Sequence, residues 1–178
     1  MKENKKIYGR LKNKTRYALE KINCGDEITI IIAVNVGSRD ELDEYKGISH
    51  YLEHMLFKGN KKYPTVELLN STVESLGGYF NALTSFDYTL YEMVIPYKYI
   101  DKGFEILSQS LFHSLMDPKL FEIERDVIIK EYNYMVSEIA SKRDSKFYSS
   151  IFKNTRMEID VIGTLESIRK ITPQLVKQ

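Results

Sequence analysis

The longest apolar stretch of the chain runs from Ile28 to Val36, interrupted by Thr29 and Asn35. A run of this length, rich in β-branched residues, predicts a buried strand and is far too short to span a bilayer. Tyr17 to Ile22 reads as another strand. The turn-forming residues Asn23-Cys24-Gly25-Asp26 join it to Glu27–Val36 as an expected hairpin. The polar segment from Gly37 to Gly47 predicts a loop leading into a helix, with Ser49 as a candidate cap. A second helix is expected from Pro64, a favourable first-turn residue, to near Leu76, where Gly77-Gly78 ends it.

Tyr79 to Thr84 and Tyr88 to Ile95 predict an antiparallel pair turning at Ser85-Phe86-Asp87, with Pro96 closing the second strand. Ile100, Phe104, Leu107, Leu111 and Leu115 follow the three-and-four spacing of a helix with one buried stripe, broken at Asp117-Pro118. A long helix follows from near Lys119. The order strand-strand-helix-helix-strand-strand-helix-helix predicts an α+β domain, a mainly antiparallel sheet with helices packed on one face.

A chain of 178 residues fits one domain, and such a domain buries enough surface for a core without disulfide staples. Cys24 is the only cysteine, so no intrachain disulfide forms and a reducing compartment is the default. Lys and Arg total 26 against 25 Asp and Glu, a formal charge of +1. Neither nucleic acid nor an anionic membrane is therefore an expected partner, and specificity must come from a local site. Met1 to Lys6 is charged, but no apolar signal-peptide core follows it. An intracellular, soluble protein is the expectation.

That local site is carried by His50-Tyr51-Leu52-Glu53-His54. At about 100° per residue, His54 lies about 40° from His50 on a helix and Glu53 about 60° to the other side, so all three share one face. Both imidazoles can reach one zinc ion, and Glu53 beside it can take a proton from bound water. Catalytic zinc takes three protein ligands and keeps one position for water, so a third ligand is needed from elsewhere. In the long helix, Leu120, Glu124, Val127 and Glu131 fall on one stripe. Taken alone, the helix favours two solvated carboxylates on an exposed stripe; the histidine motif shifts the reading to a buried stripe, where they require a cation, a proton or a metal, and the stripe does not choose between Glu124 and Glu131. The chain has three histidines; His113 has no partner motif and reads as a surface or packing residue.

Gly47-Ile48-Ser49-His50-Tyr51-Leu52-Glu53-His54-Met55-Leu56-Phe57-Lys58-Gly59 resembles the signature of the inverted-motif zinc peptidases, the pitrilysin, insulinase and mitochondrial processing peptidase family. Glu124-Arg125-Asp126-Val127-Ile128-Ile129-Lys130-Glu131 resembles the downstream segment that supplies the family's third ligand. The resemblance implies Glu131 as that ligand, with Glu124 as a supporting carboxylate that holds a ligating imidazole. Gly78 to Ser85 resembles the family's active-site strand, which takes an extended substrate as an added strand. It implies Asn81 and Ala82 as substrate-binding residues. Gly37-Ser38-Arg39 and Gly163 to Ile168 are further landmarks, and the likeness runs from Leu11 to the C-terminus.

What the family resemblance implies is a processing-peptidase-like metallohydrolase fold and a zinc endopeptidase, or the catalytic half of one. One Zn2+ per chain would be held by His50, His54 and Glu131, and Glu53 would act as general base on the water that attacks a peptide carbonyl. Relatives have two similar domains closing around the peptide. Residues 1–178 are expected to form a single such domain, incomplete at its C-terminal end where relatives continue, so a second domain or chain is an expected partner. The alternative is a non-catalytic subunit or scaffold of a larger assembly, against which the intact motif speaks. A sulfur-ribosyl lyase with a cysteine ligand is disfavoured, since no cysteine follows His54.

Overall fold

A computed structural model describes residues 5–22 and 25–177. Two strands, β1 (Lys6–Arg10) and β2 (Arg16–Glu20), form a small antiparallel hairpin. β3 (Glu27–Val34), β4 (Tyr79–Thr84) and β5 (Thr89–Pro96) form an antiparallel sheet in the order β3-β5-β4. The helices are α1 (Ile48–Leu56), α2 (Val66–Ser75), α3 (Ile100–His113), α4 (Pro118–Ser137), α5 (Ile139–Ile151), α6 (Leu165–Lys170) and α7 (Pro173–Val176). The α+β class read from the sequence holds.

Alternation along the strands sorts the sheet into two faces. Ile28, Ile30 and Ile32 of β3, Tyr91, Met93 and Ile95 of β5, and Phe80, Ala82 and Thr84 of β4 turn towards the helices. Registered rows such as Ile30–Met93–Phe80 cross all three strands. The other face carries Ile31 and Leu83, both exposed.

The expected hairpin of Tyr17–Ile22 with Glu27–Val36 does not form among the described residues, and its turn residues Asn23 and Cys24 lie outside them. β2 pairs with β1 through a tight turn, in which Lys14 has φ 70° and Asn13 Oδ1 accepts the Thr15 N–H at 3.1 Å. This closure spans few residues, and every residue of β2 is exposed, so the hairpin buries none of β2 against the main sheet. β3 pairs instead with β5, whose inward residues match its isoleucines.

The predicted stripe of α3 is rotated. Gly103, Ile106, Leu107 and Ser110 are buried, whereas Phe104 and Leu115 are exposed. A side chain at Gly103 would collide with Ile30, so the helix approaches the sheet on its small residues. α4 is rotated likewise: Phe121, Glu124 and Ile128 are buried and Val127 is exposed. Helix α2 starts later than Pro64, because Thr65 is its cap and accepts the Leu68 N–H through Oγ1 at 3.2 Å.

Tyr51 of α1 and Phe121 of α4, both fully buried, stack at 4.2 Å, and the Tyr51 hydroxyl donates to the Phe121 carbonyl. The Arg125 guanidinium covers both rings and donates to the carbonyls of Ile168 and Ile171, which ties α6 to the same helix pair. Truncation at this junction removes packing that nothing nearby replaces. Phe121→Ala is expected to cost about 3–5 kcal/mol in urea denaturation, while Phe112→Ala, at a site 73% exposed, changes stability by less than about 0.5 kcal/mol.

Candidate metal centre

Helix α1 presents His50 and His54 on one face, with ring centroids 4.6 Å apart and edge-to-face. From α4, Glu131 reaches both: its Oε1 lies 3.7 Å from His50 Nε2 and its Oε2 3.5 Å from His54 Nε2. One ligand atom from each of the three residues falls within 4.8 Å of the others. Tetrahedral zinc, with bonds of about 2.0–2.1 Å, sets its ligand atoms about 3.4 Å apart. Two imidazoles and a carboxylate are also donors that zinc accepts, so these residues fit the ion in kind and in spacing.

Glu124 stands behind the cluster. Its carboxylate, with 7% of the side chain exposed, meets His54 Nδ1 at 3.2 Å through one oxygen and the Lys58 ammonium at 2.7 Å through the other. Engaging Nδ1 leaves Nε2 of His54 directed towards Glu131. The Nδ1 of His50, by contrast, is buried and has no hydrogen-bond partner among the described residues.

The charges are tightly coupled. Burial opposes protonation of His54, but hydrogen bonds to Glu124 and Glu131 outweigh it and push its pKa up to about 9. Burial lowers the pKa of His50, and the positive charge of His54 lowers it further. Desolvation raises the Glu124 pKa, yet the hydrogen bonds from His54 and Lys58 leave it below the usual carboxylate range. The bond from His54 holds Glu131 low as well, against burial. The shifts thus favour a proton on His54, between the two carboxylates, over one on His50.

Glu53 points across α1 to the end of β4, where the Thr84 hydroxyl donates to its Oε2 at 2.6 Å. His50, Glu53, His54, Ala82, Thr84 and Glu131 border one open cleft of ≈ 430 Å³. Of the two residues expected to bind substrate, Ala82 borders this cleft. Asn81 lies on the other side of the strand, in a hollow with Ile31, Leu83, Leu90 and Glu92. β4 is an edge strand, and the pairing that continues to Ser85–Tyr88 directs the Ala82 N–H to the open edge. There the Asn81 side chain accepts it at 2.9 Å. His113 is exposed at the end of α3, where its carbonyl accepts the Lys61 N–H, and it does not border the cleft.

Two partners were not singled out from the sequence. Lys58 lies four residues past His54, just beyond the end of α1, a nearness that could have flagged it as the counter-charge for a carboxylate beside the motif. Thr84 has no local signal; only the packing of α1 against β4 brings it to Glu53.

Comparison with known proteins gives one consistent result. The family model for insulinase, peptidase family M16, matches residues 16–165. The chain is 31% identical over 168 residues to the beta subunit of the mitochondrial-processing peptidase of Dictyostelium discoideum, covering 94% of this chain and 36% of that protein. It is 32% identical over 181 residues to an uncharacterized zinc protease of Rickettsia felis, covering 98% of this chain and 42% of that one. Among solved structures, a protease from Helicobacter pylori superposes with a TM-score of 0.90 at 26% identity, over 98% of this chain and 42% of that one. The chain therefore spans well under half the length of these relatives. No helix among the described residues is long and apolar enough to cross a membrane. The matched segment runs unbroken from β2 to the first residue of α6 and contains both histidines, Glu53 and Glu131, and on that ground the chain belongs to the insulinase family, peptidase family M16.

Proposed function

We propose that this chain is the zinc-binding catalytic domain of an endopeptidase that cuts extended peptides. The observation that carries the reading is the convergence of His50, His54 and Glu131 within 4.8 Å, with Glu53 on the same helix and the same cleft. One Zn2+ per chain would be held by these three side chains. When bound, the ion supplies a Lewis acid that brings the pKa of a coordinated water towards neutrality.

The chain's own groups do the rest. The Thr84 hydroxyl occupies Oε2 of Glu53, which leaves Oε1 to accept the proton of the attacking water and return it to the leaving amine. Glu124 orients His54 and Lys58 balances its charge. The open edge of β4 offers backbone groups to an extended peptide, with Ala82 at the cleft and Asn81 guarding the edge N–H. That internal bond must open as substrate docks. A second domain or a partner chain would close the cleft, where 40% of the Glu131 side chain is exposed. The names of relatives as peptidases and as a peptidase subunit support this reading.

Cleavage of a peptide library read by mass spectrometry tests the proposal, on the chain alone and together with partner domains of its family. Glu53→Gln should keep one zinc and lose at least about 10²-fold in cleavage, whereas His54→Ala should lose the zinc. Cleavage that survives in Glu53→Gln would remove the base role.

Metal loading should also move protons in a defined number. At pH 7, below about 9, His54 is protonated, while the lowered pKa values leave His50 neutral and Glu131 ionised. Ligation needs the His54 lone pair, so zinc uptake at pH 7 should release about one proton per ion. Calorimetry in buffers of different ionisation enthalpy reads this number, to which ionisation of a coordinated water adds at most one more; release of no proton would contradict the charge arrangement. Apparent affinity should tighten as pH rises towards 9 and level off above it.

A further inference from the structure

Helix α1 carries the histidines but begins without a cap of its own. Its N-cap is Gly47, at φ 93°, and no side chain at that position can accept the first helical N–H groups. A residue outside the helix does so. Glu41 accepts the Gly47 N–H through Oε2 and the Ser49 N–H through Oε1, both at 2.8 Å, and is 5% exposed. Ser49, the cap expected from the sequence, is thus a donor to the real one. A carboxylate at this end of a helix also meets the positive pole of its dipole.

The start of α1 is clamped from the opposite side as well. The peptide segment Lys46-Gly47 lies so close to Ile162-Gly163 that a Cβ on either glycine would collide with the facing backbone. Ser167 Oγ donates to the Lys46 carbonyl at 2.6 Å. The Lys46 ammonium, buried at 2% exposure, donates to the carbonyls of Ser38 and Arg156, each at 3.2 Å. His50 follows Ser49 directly. The clamp therefore sets the tilt and rotation of the first helical turn, and with them the direction of both imidazoles.

We propose that Glu41 is a positioning residue of the metal centre, a buried carboxylate that caps α1 from outside and fixes the phase at which His50 and His54 face Glu131. This rests on the zinc-peptidase reading above. It differs from ordinary helix capping in one respect: its loss must be felt at the metal, and not only in stability. Thr65, the cap of α2, supplies the comparison, because it caps a helix that holds no candidate ligand.

The test uses the whole chain, with zinc affinity measured by competition against a chromophoric chelator, the absorption spectrum of the Co2+ form, and the thermal midpoint. Glu41→Ala is expected to weaken zinc roughly 10- to 100-fold and to change the Co2+ spectrum. Glu41→Gln, which keeps one acceptor oxygen, should fall between it and the wild type. Thr65→Ala should lower the thermal midpoint but leave affinity and spectrum unchanged. Should Glu41→Ala fail to fold, Glu41→Gln decides alone. Wild-type affinity and spectrum in a folded Glu41 variant would overturn the positioning role and leave a stabilising cap. A wild-type chain that binds no zinc would overturn the functional reading, and this proposal with it.

Discussion

The contact between α1 and α4 is the constraint on which the rest of the molecule depends. A helix can put two histidines on one face by its own periodicity, but it cannot supply a carboxylate at ligand distance on their far side. That requires a second helix held at fixed distance and phase. The stacked rings of Tyr51 and Phe121, the hydrogen bond between them and the guanidinium of Arg125 provide the fixed distance. From Phe121, steps of three, four and three along α4 lead through Glu124 and Ile128 to Glu131, so the same face that packs also delivers both carboxylates.

Such a face is costly to bury. Two carboxylates beside two imidazoles, most of them shielded from water, would not be tolerated without compensation. Lys58 offsets Glu124, and a proton on His54 offsets Glu131 in the absence of a metal. The cluster is thus arranged around a positive charge whose place a divalent ion can take.

The sheet contributes in two ways. Its helix-facing side positions Thr84 against Glu53, while its free edge at β4 leaves backbone groups for pairing. Edge strands are normally protected, and here the protection is a local one: Asn81 satisfies the outward N–H of Ala82. The clamp at Lys46-Gly47 gives the landmarks near Gly37 and Gly163 a shared physical purpose, since both segments meet at the start of α1.

Periodicity and turn chemistry made the α+β class, β4, β5 and the long α4 legible in the sequence, because each depends on residues close together in the chain. The spacing of His50, Glu53 and His54 likewise specified one face of one helix. The strand partners were not legible: β2 joins β1 by closure of a local turn, and β3 joins β5, whose inward apolar residues match its own across the sheet. Nor were the buried stripes of α3 and α4, whose rotation follows from Gly103 against Ile30 and from Phe121 against Tyr51. Ser49 looked like the cap of α1, yet only tertiary structure could show Glu41 in that place. The sequence by itself determined that two imidazoles and a carboxylate share one face of α1, since that follows from their spacing alone. The tertiary structure decided that Glu131 meets the two histidines, that Lys58 pairs with Glu124, that Thr84 meets Glu53 and that Glu41 caps α1, because contacts between distant segments are set by packing and charge compensation and not by local spacing.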